Sequence, residues 1–299
     1  MKYRFLTCDV FTDVRFGGNP LAVVPNAVGL TDQQMQQIAR EFNFSESSFV
    51  FPPKNGNTKQ VRIFTPTTEV PFAGHPNIGT AFVLASTGEL GELADNTEIM
   101  FEEKAGLVPI SVRKSSDGQF VCELKAPEPL SLGTTICAQD VAAALSLSVD
   151  DVSTRDHVPQ VASVGLPFLV AELASQSALE RAKPVLDRFE NIARQGVTPD
   201  IHVYVRSDDE YDLRTRMFAP FDGVPEDPAT GSANCALTAM LAQLDEVPTG
   251  RFEWRIAQGV EMGRPSSLAA RARKDDGKVT AVWIAGSCVM FSDGELSVE

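Results

Sequence analysis

The sequence predicts an α+β protein built as two diverged copies of one unit. Shifting the chain by 154 positions lays Ile38-Ala39-Arg40 on Ile192-Ala193-Arg194, Arg62 on Arg216, Phe64 on Phe218, Pro66 on Pro220 and Val70-Pro71 on Val224-Pro225. From 38 to 71 this makes 8 identities in 34 ungapped positions, where average residue usage gives about two by chance. A shift of 157 then lays Gly74 on Gly231 and Asn77 on Asn234. The order of strand, tight loop and apolar helix repeats as well, which coincidental proline and phenylalanine spacing does not explain. With 299 residues, 43% hydrophobic and 22% charged, the chain can bury full cores as one large domain or two ordinary ones.

Residues 3–11 alternate like a strand, with Tyr3, Phe5 and Thr7 on one face. Gly17-Gly18-Asn19-Pro20 is a turn before the apolar run Leu21–Val24. Thr31 is placed to cap a helix, with Gln34 completing a capping box. Met35, Ile38, Ala39 and Phe42 then form an amphipathic stripe. Short strands are predicted around Ser48–Phe51 and Val61–Phe64. Pro66 and Pro71 bracket a loop ending at Ala73-Gly74-His75-Pro76, and Ala81–Ala85 reads as a buried helix with Pro76 suited to its first turn. In the second half Gly165-Leu166-Pro167 precedes the apolar run Phe168–Val170. One helix is predicted over about Ser177–Arg194, with strands near Ile201–Val205 and Arg214–Phe218. A proline-rich loop leads to Asp227-Pro228-Ala229-Thr230-Gly231-Ser232, and Ala233–Leu244 is an apolar helix. The tail from Ala269 to Val298 is strand-like, with a hairpin turn at Asp276-Gly277.

Several functions are disfavoured. A net charge of −14 repels nucleic acid and anionic membranes, and no basic cluster offsets it. No apolar run approaches the roughly 20 residues of a membrane span, and the first nine residues lack a signal-peptide core. Five scattered cysteines without a CxxC spacing indicate neither disulfides nor a zinc site, and they fit a reducing cytoplasm. An acidic substrate would need local positive potential, for which helix N-termini are the natural source.

Among residues that could carry chemistry, His75 stands between Gly74 and Pro76 just before a helix, with room for a ligand. His157 and His202 read as ordinary loop histidines. Asp227 and Ser232 flank the turn Pro228-Ala229-Thr230-Gly231, where simple helix capping and a functional role are equally good readings. Glu46, in Phe44-Ser45-Glu46-Ser47-Ser48, reads from its surroundings alone as a solvated turn carboxylate. Cys235 reads as a buried structural thiol, and Trp254 and Trp283 as core residues.

Together these stretches resemble the phenazine-biosynthesis F-like family of isomerases. The likeness is carried by Asp9-Val10-Phe11-Thr12, Gly18-Asn19-Pro20, Ser45-Glu46-Ser47 and Arg62-Ile63-Phe64-Thr65-Pro66. It continues through Glu69-Val70-Pro71-Phe72-Ala73-Gly74-His75-Pro76, Glu226-Asp227-Pro228-Ala229-Thr230-Gly231-Ser232-Ala233, Gln258-Gly259 and Met262-Gly263-Arg264-Pro265-Ser266. The resemblance implies a diaminopimelate-epimerase-like fold of two pseudo-symmetric domains, each a sheet wrapped around a central helix. The halves are expected at 1–128 and 129–285, with the last strand, about 286–299, returning to the first. The resemblance further implies that Glu46 is the acid/base and that His75, Asp227 and Ser232 are the other catalytic residues, in a cleft between the halves. Backbone N–H groups of Gly74, His75, Gly231 and Ser232 would hold the substrate carboxylate. It implies a homodimer, a small carboxylic acid as substrate, and no cofactor or metal. The epimerases of this fold use a cysteine from each half; the matching loops here have no thiol, which disfavours cysteine-pair racemisation. The expected activity is therefore a cofactor-independent isomerisation, with a non-catalytic acid-binding or interaction protein as the alternative. A hydrolase built on Ser232 and His75 lacks a nucleophile-elbow motif.

Overall fold

Thr31 opens the first helix as its sequence predicts. In a computed structural model, which describes residues 1–115 and 118–299, the Thr31 hydroxyl accepts from the Gln34 amide at 3.2 Å. The Gln34 side chain in turn accepts from the Thr31 amide at 2.9 Å. Two donors that the helix start would leave unbonded are thus satisfied. At the other end Asn43 stops the helix in the left-handed conformation.

The chain divides into two units, residues 1–125 with 285–299, and residues 126–284. The first contains β1 (Lys2–Val10), β2 (Asn19–Val24), α1 (Asp32–Phe42), β3 (Glu46–Phe51), β4 (Lys59–Phe64) and β5 (Glu69–Val70). It continues with α2 (Gly74–Ser86), β6 (Asn96–Glu103), β7 (Gly106–Lys114) and β8 (Phe120–Lys125). The second contains β9 (Ser131–Thr135), α3 (Ala138–Ala144), β10 (Val152–Ser153), β11 (Gln160–Ser163), β12 (Pro167–Leu173), α4 (Gln176–Arg181) and α5 (Leu186–Arg194). Then come β13 (Ile201–Arg206), β14 (Leu213–Ala219), β15 (Val224–Asp227), α6 (Gly231–Leu244), β16 (Gly250–Gln258) and β17 (Ser266–Asp275). The last strand, β18 (Lys278–Ser297), starts in the second unit, and its end pairs antiparallel with all of β1 in the first.

Both units have the same strand plan. In the first, β2 runs parallel to β3, β3 antiparallel to β4, β4 parallel to β6, and β6 antiparallel to β7. In the second, β12 runs parallel to β13, β13 antiparallel to β14, β14 parallel to β16, and β16 antiparallel to β17. The register matches too: Ser47 faces Phe64 and Ile201 faces Phe218, each pair 154 residues from its counterpart. Two paired arginines repeat the likeness. Arg62 makes a two-pronged ion pair with Glu69 at 2.8 and 2.7 Å and lies over Phe64. Arg216 does the same with Glu226 at 2.7 and 2.8 Å and lies over Phe218. This is the α+β, diaminopimelate-epimerase-like architecture, repeated.

The central helices explain their own burial. From Gly74 to Ala85 every residue of α2 is buried, and α6 is buried at nearly every position. A helix apolar on all sides has no solvent face to present. Ile78, Phe82, Val83 and Leu84 are at most 3% exposed, each a gain of about 1.5–3 kcal/mol. The sheet reaches the helix backbone at Gly79, where a Cβ would lie 2.6 Å from both Leu21 and Val10. Cys8, Cys122 and Cys288 meet in this core as free buried thiols, a grouping their scattered positions did not reveal.

Some expectations need correction. The helix expected over Ser177–Arg194 is two helices, α4 and α5, broken at Ala182–Val185. Pro184 has no N–H to continue the ladder, and the Lys183 and Val185 amides donate instead to Leu145 and Ala144 carbonyls. Trp254 and Trp283 are half-buried rather than core: Trp254 stacks on Phe252, and Trp283 lies under the Arg271 guanidinium, 3.8 Å from its ring centre. His202 is no loop residue; it is fully buried on β13. Among the described residues no helix is long and apolar enough to cross a membrane.

Candidate active site

In the first unit, β3 and α2 bring Glu46 and His75 together. Glu46 is the first residue of its strand and His75 the second of its helix, and Glu46 Oε2 lies 3.5 Å from His75 Nδ1. Asn19, at the start of β2, places its side-chain nitrogen 3.3 Å from the same Nδ1. His75 is buried, and burial pushes its pKa down to about 3. The ring is therefore neutral at physiological pH, and its contact with Glu46 is not an ion pair. Its other nitrogen, Nε2, is buried with no hydrogen-bond partner among the described residues. The α2 N-cap is Ala73, which has no side-chain oxygen to cap the helix start. Gly74 and His75 thus occupy a helix N-terminus of the kind that binds anions.

The depressed His75 pKa makes stability acid-sensitive. The unfolded chain takes up a proton near the ordinary value of 6.5, while the folded one resists to about 3, so stability is full above 6.5 and declines as pH falls through that window. His202, pushed down to about 4 by burial, acts in the same direction. The His75→Gln protein should lose stability less steeply than wild type between pH 6.5 and 4, with a difference on the order of a few kcal/mol. Urea midpoints with identical pH slopes in both proteins would contradict this.

In the second unit, Asp227 ends β15, and Gly231 and Ser232 begin α6. The N-cap is Thr230, its side chain makes no cap, and its hydroxyl donates to Asp227 Oδ2 at 2.6 Å. The turn is held by residues from the end of β16 to the start of β17, to which the sequence alone gives no role. Gln258 donates to the Asp227 carbonyl at 2.8 Å and to the Thr230 hydroxyl at 3.0 Å. Its own oxygen accepts from the Asn234 side chain at 2.7 Å and from the Thr230 amide at 3.2 Å. Ser266 donates to the Pro228 carbonyl at 2.8 Å. Gly259 has φ +74°, and a Cβ there would stand 2.6 Å from the carbonyls of both Pro228 and Arg264. Gly259→Ala should accordingly cost about 2–5 kcal/mol, from left-handed strain plus overpacking against backbone. A thermal melt within a degree of wild type would refute it.

The two sets repeat each other in detail. Asn77 donates to the Ala73 carbonyl and Asn234 to the Thr230 carbonyl, both at 3.0 Å. The paired registers of β3–β4 and β13–β14 put Asp200 at the position of Glu46. Sequence reading passed Asp200 over; burial, with Asp222 adding repulsion, pushes its carboxyl up to about 7.

The family model described as "Phenazine biosynthesis-like protein" matches residues 8–294. An uncharacterised isomerase of Mesorhizobium japonicum is 37% identical over 309 residues, covering 99% of each chain. The trans-2,3-dihydro-3-hydroxyanthranilate isomerase of Pseudomonas aeruginosa is 34% identical over 293 residues, covering 98% of each. Among solved structures, a PhzF-family phenazine biosynthesis protein of Bacillus anthracis superposes with a TM-score of 0.90 at 26% identity, covering 100% of both chains.

Proposed function

The chain belongs to the phenazine biosynthesis-like protein family and is an isomerase, and we propose that it moves a proton, and with it a double bond, within a small carboxylic acid without a cofactor. The observation that carries this reading is the Glu46–His75 pair, 3.5 Å apart, at the start of a buried helix. Glu46 is the acid/base. Its carboxylate takes a proton from a carbon beside a double bond, and the electron pair of that C–H bond becomes a new C=C. The old double bond shifts along, and the acid returns the proton at the far carbon. One C–H bond breaks and one forms, so no oxidant or reductant is required.

The neutral His75 ring offers a hydrogen bond to a substrate substituent through Nε2. Asp227 and Ser232 position the substrate's ring substituents and stabilise shifted charge. Backbone N–H groups of Gly74, His75, Gly231 and Ser232 hold the carboxylate, in keeping with a chain of net charge −14 whose anion site relies on helix termini. The resemblance assigns both sets to one substrate.

The substrate class is a small ring acid of the trans-2,3-dihydro-3-hydroxyanthranilate type, the compound for which the Pseudomonas aeruginosa relative is named. The test is incubation of the protein in D2O with that compound and with a panel of small aromatic and alicyclic acids, followed by NMR. The expected result is carbon-bound deuterium in an isomerised product. Binding with no exchange for any acid would favour the non-catalytic alternative.

A further inference from the structure

Glu103 is the last residue of β6, and both of its carboxyl oxygens are buried without a hydrogen-bond partner among the described residues. It lies beside the Asn77 side chain, and the turn that follows it is tied to the loop before α2, where the Ala105 amide donates to the Pro71 carbonyl at 3.1 Å. A carboxylate here could only accept and could donate to no backbone carbonyl of that loop.

The repeat shows what the position is for. Lys59 pairs with Phe101 and Gln60 with Glu102 in parallel register, and Leu213 pairs with Ile256 and Arg214 with Ala257. The next residue in each strand is Glu103 in one unit and Gln258 in the other. Gln258 is the clamp of its unit: its oxygen accepts from Asn234 and the Thr230 amide, and its nitrogen donates to the Asp227 carbonyl. The counterparts of those partners are Asn77, Ala73 and Val70: Ile63 pairs with Val70 where Met217 pairs with Asp227, so in the folded chain the shift is already 157 at Val70, not the 154 of its sequence match with Val224. A carboxylic acid has the same shape and the same donor–acceptor division as that amide, whereas a carboxylate does not.

We propose that Glu103 is a positioning residue that works in its protonated form, its O–H donating to the Val70 carbonyl and its C=O accepting from Asn77, so that it clamps the loop before α2 and holds Gly74 and His75 in place. Burial supports this by pushing the carboxyl up to about 8, against the smaller opposing influence of the Asn77 amide. Nearby charges are engaged elsewhere. Glu102 accepts from the Lys54 and Asn55 amides, Lys104 pairs with Glu69, Lys59 with Glu89, and Arg62 with Asp32 and Glu69. On α2 the titratable group is His75, which faces Glu46, and Arg113 on β7 sits at the far end of the pairing, opposite Asn96.

Because the folded pKa lies above the unfolded one, folding takes up a proton at neutral pH, and the clamp is whole below about pH 8 and is lost as pH rises through that value. The probe is protein labelled with 13C in the glutamate carboxyls, titrated from neutral to alkaline pH by NMR. One carboxyl should titrate near 8 and vanish in Glu103→Gln. Amide hydrogen exchange at the start of α2 should quicken over the same range in wild type, beyond its intrinsic pH dependence. In Glu103→Gln protection should persist at alkaline pH, and in Glu103→Ala exchange should be about tenfold faster than in Glu103→Gln at every pH, as for one lost buried hydrogen bond. A signal lost in Glu103→Gln that titrates in the ordinary carboxylate range would overturn the proposal, as would faster exchange in Glu103→Gln than in wild type at neutral pH. Neither readout needs a substrate, so failure here is separable from failure of the proposed isomerisation. Where an acid is turned over, the alkaline limb of kcat/KM near pH 8 should flatten in Glu103→Gln.

Discussion

Glu46→Gln should bind a small ring acid and leave its carbon-bound protons unexchanged in D2O. The amide matches the carboxylate in size and still hydrogen-bonds, but it cannot accept a proton from carbon. The helix terminus at Gly74 and His75 is untouched by the change, so the affinity measured by calorimetry should stay within a few-fold of wild type. Turnover and deuterium exchange should fall together, by roughly 10²–10⁴-fold, the usual contribution of a general acid–base group. Glu46→Asp should keep partial activity only insofar as its shorter side chain still reaches the reacting carbon. Exchange at the wild-type rate in Glu46→Gln would assign the proton transfer to another group, with Asp200, its counterpart in the other unit, the next to test.

The second large effect concerns stability and uses the repeat as its own control. Arg216 is buried, bonds Glu226 through two nitrogens, and donates to the carbonyls of Leu179 and Ala182 at 2.7 and 2.9 Å. Arg216→Ala leaves the Glu226 carboxylate and those carbonyls facing a cavity, at a cost of roughly 3–5 kcal/mol. Arg62 has the same ion pair but a side chain 20% exposed; its other partner, Asp32, is at the surface, and Glu69 keeps Lys104 when the arginine is gone. Arg62→Ala should therefore cost less, about 1–2 kcal/mol. Urea unfolding should rank the two in that order, with Arg216→Lys between wild type and Arg216→Ala because one amine cannot replace the two-pronged contact. Equal losses at the two positions would mean that the carbonyl contacts and deeper burial of Arg216 contribute nothing.

What the sequence determined by itself is whatever depends on neighbours along the chain or on periodicity. The Thr31–Gln34 capping box, the α1 stripe, the all-apolar central helices and the Asp276-Gly277 turn are short-range, and each is present. The repeat was legible because arginine, phenylalanine and proline spacing survived divergence, and the structure shows why: Arg62 with Glu69 and Arg216 with Glu226 are the same ion pair. The break at Pro184 was present in the residues, inside the span predicted as one helix. Glu46 looked like a turn carboxylate because nothing within its own stretch marks it. Its partner His75 is 29 positions away, and only the packing of β3 on α2 brings them within 3.5 Å. The neutral state of His75, the clamping of the Asp227 loop by Gln258 and the orphaned carboxyl of Glu103 depend likewise on partners distant in sequence. Burial and hydrogen-bond satisfaction are properties of the folded surroundings, so the chemistry of these groups was decided by tertiary structure, while the frame that holds them was already written in local pattern.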